Sequence, residues 1–331
     1  MKYIYDLMPE ELNLNPGYRN QQVWNALQDG KTIDEITNIP NSLKNELKLE
    51  YDCNLPRIVN ELQSKDGTRK FLLEFADRSL IECVLLQQDY GNTICVSTQV
   101  GCRMGCKFCA SGADGIVRDL TCGEILAQVI LVNKIQHVTN IVLMGSGEPF
   151  DNYDNVVKFF RLVNSAGGLN ISMRNISVST CGIVPKIKDF ADLQIGVNLC
   201  VSLHAPNDTV RRRIMPIANR YSVSQILDAA RYFFDKTHRR VIFEYSLIAG
   251  INDKIEHAKE LSKLIKGFPN HVNLILVNTF NNEFRQDKSS AMVFMDTLIK
   301  NGTSCTMRRS RGGDIDGACG QLRLRSMHTH D

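Results

Sequence analysis

Between Ile94 and Arg309, short apolar strands alternate with longer amphipathic stretches, and no other feature restricts the fold as tightly. The strand candidates are 94–98, 140–144, 175–179, 197–202, 240–247 and 271–277. Among the intervening helices, 121–133 opens with the capping box Thr121-Cys-Gly-Glu124, and 222–237 opens with Ser222-Val-Ser-Gln225. A last helix over 289–301 stops at Gly302, and a seventh strand runs over Cys305–Arg309. Strands that each return through a helix pair in parallel. Six β/α units in a row therefore predict an α/β fold with a parallel sheet, either open or curved into a partial barrel. Upstream, the first 65 or so residues read as helical, with amphipathic stretches at 20–27 and 42–47. Two strands follow at 70–75 and 79–86. The expected division is a small helical accessory domain (1–66), connecting strands (67–92) and a catalytic domain (93–331).

Composition narrows the class. Of 331 residues, 43% are hydrophobic and 23% charged, which suits a folded protein and excludes disorder and collagen-like repeats. No apolar run approaches the ~20 residues that span a bilayer. The first residues lack the apolar core of a signal peptide, so the expected compartment is the cytoplasm. Lys and Arg total 39 against 36 acids, a net +3, so only local clustering points to nucleic acid. Such clusters are Arg211-Arg-Arg213, Arg239-Arg240 and the run Arg308, Arg309, Arg311, Arg323 and Arg325. A charge run is more often a solvated face than a phosphate site.

Eleven cysteines, an odd number without a secretion signal, argue against a disulfide framework and toward metal or catalysis. One tight cluster exists: Cys102, Cys106 and Cys109, spaced C-x3-C-x2-C after the first strand of the alternating region. Three thiolates from one loop suit a [4Fe–4S] cluster with one iron open to another ligand. Zinc is the competing metal, but it wants four closing ligands, and no fourth Cys or His lies nearby in sequence. Three plain core cysteines are the third account. Polar residues also stand where strands end: Gly147-Glu148, Ser179, Ser202 with His204, and Asn278. Each alone is an ordinary loop cap, but four on one rim suggest a ligand site.

These residues resemble the radical S-adenosylmethionine (radical SAM) superfamily. The longer segments Cys95-Val-Ser-Thr-Gln-Val-Gly-Cys102, Gly145-Ser-Gly-Glu-Pro149, Ser202-Leu-His-Ala-Pro206, Phe243-Glu-Tyr245, His271-Val-Asn-Leu-Ile275 and Asp314-Ile-Asp-Gly-Ala-Cys-Gly-Gln321 resemble its RlmN/Cfr branch, which methylates an adenine carbon in RNA. The resemblance covers most of the chain, including Tyr18-Arg-Asn-Gln-Gln22, and implies a (β/α)6 partial barrel with an N-terminal RNA-binding accessory domain. It implies that Cys102, Cys106 and Cys109 hold the cluster. SAM contacts fall on Gly147, Glu148, Ser179, Ser202, Leu203, His204 and Asn278, with Glu148 near the SAM amino group. One electron then releases a 5′-deoxyadenosyl radical from SAM.

The resemblance further implies that Cys319 accepts a methyl group from one SAM. The radical drawn from a second SAM removes hydrogen from that methyl, and the resulting carbon adds to the adenine ring. Cys95 then frees the product by forming a transient disulfide with Cys319, which is ordinary thiol exchange. Glu82 matches the acceptor of the ring proton. Without the resemblance, Cys319 reads as a loop thiol, Cys95 as a core thiol, and Glu82 as either surface or functional. Cysteines 53, 83, 122, 181, 200 and 305 read as structural. Three positions depart from the family pattern, at Ser146, Ala110-Ser111 and Gly317, and the 279–290 segment carries no proline.

Carbon 2 of adenosine, in the peptidyl-transferase region of 23S rRNA and 3′ to the anticodon in tRNA, is the expected target. The stretches Lys236-Thr-His-Arg-Arg-Val241 and Ile242-Phe-Glu-Tyr245 favour it over the Cfr-type carbon 8. A non-catalytic iron–sulfur RNA-binding protein would need neither Cys319 nor Cys95. A donor such as flavodoxin or ferredoxin, a monomeric state and no membrane partner complete the expectation.

Overall fold

The computed structural model describes residues 1–89, 91–277, 284–308 and 311–315. At the N-terminus, Lys2–Tyr3 (β1) pairs in parallel with Tyr51–Asp52 (β2), and helices Tyr18–Gln28 (α1) and Asn41–Glu50 (α2) lie between them in sequence. Trp24, Leu27, Leu43 and Leu47 are buried in the same apolar core as the larger part of the chain. The Trp24 Nε1–H donates to the Leu7 carbonyl at 3.0 Å, which satisfies the one polar atom of a buried indole.

Four strands then form an antiparallel ribbon: Arg57–Gln63 (β3), Arg69–Glu74 (β4), Leu80–Gln88 (β5) and Gly91–Cys95 (β6). After a separate short hairpin, Gln99–Gly101 (β7) with Ile116–Asp119 (β8), the helix–strand alternation begins. It runs Cys122–Ile135 (α3), Asn140–Leu143 (β9), Tyr153–Asn164 (α4), Ile176–Thr180 (β10), Val184–Leu193 (α5) and Asn198–Ser202 (β11). It continues with Asp208–Ile214 (α6), Val223–Thr237 (α7), Val241–Leu247 (β12), Ile255–Leu264 (α8), Asn270–Leu276 (β13), Lys288–Lys300 (α9) and Cys305–Met307 (β14). Ten strands make one sheet in the order β14-β13-β12-β11-β10-β9-β6-β5-β4-β3, parallel from β6 to β14. The six expected β/α units are all present.

Helix starts follow the sequence signals. Thr121 Oγ1 accepts from the Glu124 N–H at 3.2 Å, while the Thr121 N–H donates to Glu124 Oε2 at 2.9 Å. Ser222 and Gln225 repeat this reciprocal cap at α7. Three local expectations fail. β3 is a strand where helix was expected, because pairing with β4 stabilises a largely exposed polar edge that carries little hydrophobic signal of its own. The strand expected over 94–98 covers 91–95 instead. It ends there because Ser97 leaves the ladder for a buried polar knot: its N–H donates to Gln128 Oε1 at 2.9 Å and its Oγ–H to the Glu82 carbonyl at 2.7 Å. The β7–β8 hairpin, three and four residues long, was not foreseen. Among the described residues, no helix is long and apolar enough to cross a membrane.

Candidate active site

The parallel strands curve around a cavity of about 810 Å³ that is lined by residues of β5, β6 and β9 through β14. The cysteine loop sits at its wall, between β7 and β8. Two backbone bonds shape the loop: the Cys102 N–H donates to the Gly115 carbonyl at 2.8 Å and the Cys109 N–H to the Cys106 carbonyl at 3.0 Å. The Lys107 N–H donates to the Ile214 carbonyl at 3.0 Å, which pins the loop to the end of α6. Gly101 has φ +78°, and a Cβ there would lie 2.1 Å from the Gly115 carbonyl oxygen. Only glycine permits this crossing.

Cys102, Cys106 and Cys109 all face the cavity. Burial, with Glu148 and the Cys109 thiol adding to it, pushes the Cys102 thiol up to about 12. The Cys106 thiol is pushed higher still, by burial first and then by the other two cysteines. The Cys102 and Cys106 thiols, whose ionisation is opposed by burial and by neighbouring cysteines, suit a strongly cationic centre that would draw them into the thiolate form. Among the described residues, no three His, Cys, Asp or Glu side chains converge on a single ion. Three thiols from one loop on the cavity wall are a donor set that fits a [4Fe–4S] cluster.

The strand ends supply the rest of the rim. Glu148 is buried; its Oε1 accepts from the Phe150 N–H at 3.0 Å and its Oε2 from the Cys181 N–H at 2.7 Å. Burial raises its carboxyl despite these bonds. Gly147 has φ +101°, and a Cβ there would lie 2.6 Å from the Gln99 Cβ, so only glycine fits. Ser179 and Ser202, on adjacent strands, place their hydroxyl oxygens 3.3 Å apart. His204 Nδ1 accepts from the Ser246 N–H at 2.9 Å, so its proton sits on Nε2. Burial, with Arg211 adding to it, pushes the ring down to about 3 and keeps it neutral. Gly147, Glu148, Ser179, Ser202 and His204 line the cavity, and Leu203 does not. The Leu203 side chain is buried in the core, its N–H donates to the Glu244 carbonyl, and its own carbonyl accepts from Arg211.

At the end of β6, Cys95 packs with Val84, Leu86, Val142 and Met144 and lines the cavity. It is paired in register with Val84, and Glu82 lies two residues from Val84 on the same face of β5. Glu82 is 5% exposed, which answers the surface alternative, and the wholly buried Lys70 Nζ stands 3.6 Å from its Oε1. Cys319 and Asn278 lie outside the described residues. Among the described residues, no two cysteines are joined by a disulfide.

Arg211 corrects the sequence reading. It is not part of a basic surface: it is wholly buried and donates to the carbonyls of Leu203, Cys181 and Ser202, tying the ends of β10 and β11 together. Its neighbours Arg212 and Arg213 are exposed. Cys181 and Cys200, read as structural, prove to be cavity wall. Lys70 and Arg211 were both missed, because sequence alone does not separate a buried cation from a solvated one. In Lys70, flanked by Phe71-Leu-Leu, the apolar context was the available signal.

The family model of the radical SAM superfamily matches residues 96–262. A relative from Clostridium perfringens (strain 13 / Type A), named probable dual-specificity RNA methyltransferase RlmN, is 50% identical over 98% of this chain and 97% of its own length. One of the same name from Clostridium novyi (strain NT) is 48% identical over 98% of each. The crystal structure of a radical SAM methyltransferase from Sphaerobacter thermophilus superposes with a TM-score of 0.93 at 38% identity, covering 97% of this chain and 99% of that one.

Proposed function

Because the chain belongs to the RlmN family of radical SAM RNA methyltransferases, we propose that it methylates carbon 2 of adenosine, in 23S rRNA and in tRNA. One observation carries this reading. A single cavity holds the three cluster cysteines, the Gly147–Glu148, Ser179, Ser202 and His204 rim, and Cys95.

Cys102, Cys106 and Cys109 would hold a [4Fe–4S] cluster, and Gly147, Glu148, Ser179, Ser202, His204 and Asn278 would hold SAM beside it. Together these groups, when bound and reduced by a donor such as flavodoxin or ferredoxin, supply a radical able to remove hydrogen from a methyl group. The chain's own residues do the rest. The Cys319 sulfur loses its proton, takes a methyl group and carries it to the base as a protein-bound carbon. Glu82, buried 3.6 Å from the Lys70 ammonium, takes the ring proton, and the unpaired electron left on the base passes back to the donor that supplied it. The Cys95 thiolate then attacks the Cys319 sulfur: an S–S bond forms, the S–C bond breaks, and its electron pair stays on the methylene carbon, which takes a proton to become the product methyl. The neutral His204 offers its Nε2–H as a fixed donor. Residues 1–66 are assigned additional RNA contacts, and a monomer in the cytoplasm, where both RNAs reside, is sufficient for the reaction.

Mass spectrometry of nucleosides from 23S rRNA and tRNA treated with the reconstituted protein tests the proposal. The expected product is 2-methyladenosine, and 8-methyladenosine as the main product would overturn the assignment.

A further inference from the structure

Ser202, Glu244, Asn273 and Thr306 stand side by side in register on β11, β12, β13 and β14, and all four line the cavity. Asn273 links two of its neighbours: its Nδ2 donates to Glu244 Oε1 at 3.1 Å, and its Oδ1 accepts from Thr306 Oγ1 at 3.1 Å. The remaining oxygen, Glu244 Oε2, is buried and has no hydrogen-bond partner among the described residues; Arg308, which lines the same cavity, acts on the carboxyl only through its charge. A buried polar atom without a partner costs free energy, so its retention in a cavity wall calls for a partner that arrives with a ligand. Burial raises the Glu244 carboxyl against the opposing pull of Arg308 and the Asn273 hydrogen bond.

We propose that Glu244 is a specificity residue that holds the target adenine in the cavity through a hydrogen bond from its free carboxyl oxygen to the polar edge of the base. The inference rests on the reading above that an RNA adenosine is the substrate. The direction of the row favours the target base over SAM. Ser202 begins the row on the SAM side. From there it crosses β12 and β13 to β14, the strand that leads in sequence to Cys319. A base held along this row lies next to the SAM contact Ser202. Enzymes that take a base out of its stack read it through hydrogen bonds to its edge, and a pocket built for such a bond discriminates strongly when the bond is missing.

The test uses the reconstituted holoprotein with the variants Glu244→Leu and Glu244→Gln. Labelled SAM binding, melting temperature, 5′-deoxyadenosine release and methyladenosine formation are measured for each. Glu244→Leu is expected to bind SAM within twofold of wild type and to melt no lower. It should methylate RNA about 30-fold more slowly, as fits one lost hydrogen bond in a buried pocket, and release 5′-deoxyadenosine in excess of product. Glu244→Gln, which keeps a donor and an acceptor, should stay within a few-fold of wild type. Wild-type coupling and rate in Glu244→Leu would overturn the proposal. So would loss of SAM binding, which would assign the carboxyl to the cofactor, or a lower melting temperature in both variants, which would make it structural. A wild-type protein that forms no methyladenosine would instead sink the substrate reading itself.

Discussion

The cysteine loop puts the sharpest demands on single residues. Cys106 lies between the other two thiols in sequence and is the most strongly perturbed of the described pair. Cys106→Ala should abolish the iron–sulfur absorbance and the bound iron of the anaerobically reconstituted protein while leaving its circular dichroism unchanged. A normal cluster in that variant would refute the ligand assignment. His204 ties the rim to pH. Its folded value is pushed down to about 3, whereas an unfolded histidine takes its proton near 6.5. Between these values the unfolded chain binds the extra proton. The stabilisation is therefore complete above about pH 6.5 and falls by about 1.4 kcal/mol per pH unit as the solution is acidified toward 3. His204→Asn suits the left-handed backbone at this position (φ 55°) and should flatten that slope in denaturant unfolding between pH 7 and pH 5. Lys70 makes a third demand. Lys70→Met leaves the Glu82 carboxylate buried without this cation and should cost about 3 kcal/mol in the same assay, with part regained on adding Glu82→Gln. Unchanged stability in Lys70→Met would show that the pair does not hold the charge.

At the scale of elements, the sequence was readable wherever burial and periodicity agree. The strands at 140–143, 176–180, 198–202, 241–247 and 270–276 and the helices at α3, α7 and α9 lie within two residues of expectation, because each is an apolar run bounded by caps or turn residues. Segments whose strand character comes from a partner were not legible. β3 is an exposed edge, and β7 with β8 is a hairpin fixed by the crossing of Gly101 over Gly115. The rim followed the same logic: Glu148, Ser179, Ser202 and His204 were legible as polar residues ending apolar strands, whereas the inward turn of Arg211 was hidden among three consecutive arginines. The hairpin yields its own prediction. Gly101→Ala places a methyl against a backbone oxygen in a left-handed conformation and should cost about 1–3 kcal/mol. Iron incorporation should fall with it, measured as iron per protein after reconstitution. Full iron loading with unchanged stability would show that the loop does not depend on this crossing.

For the whole molecule, the sheet ties its two edges together. The segment after β14 reaches back to the β3–β4 turn: Ser64 Oγ–H and the Lys65 N–H donate to the Asp314 carboxylate at 2.5 and 3.1 Å, and the Gly312 N–H donates to Asp66 Oδ2 at 2.9 Å. The segment that leads in sequence toward Cys319 is thus fastened to one turn of the antiparallel ribbon that carries Glu82 and Cys95. The account then gives the two cysteines unequal fates. Cys319 carries the carbon that bonds to adenine, and Cys95 acts only afterwards to release it. Two merely structural thiols would instead lose little on truncation, and to a similar degree. The direct measurement is a denaturing gel of wild type, Cys95→Ala and Cys319→Ala after incubation with SAM, reductant and RNA. The account predicts a stalled protein–RNA crosslink in Cys95→Ala and neither crosslink nor product in Cys319→Ala. Normal turnover by Cys95→Ala, or a crosslink formed by Cys319→Ala, would contradict it.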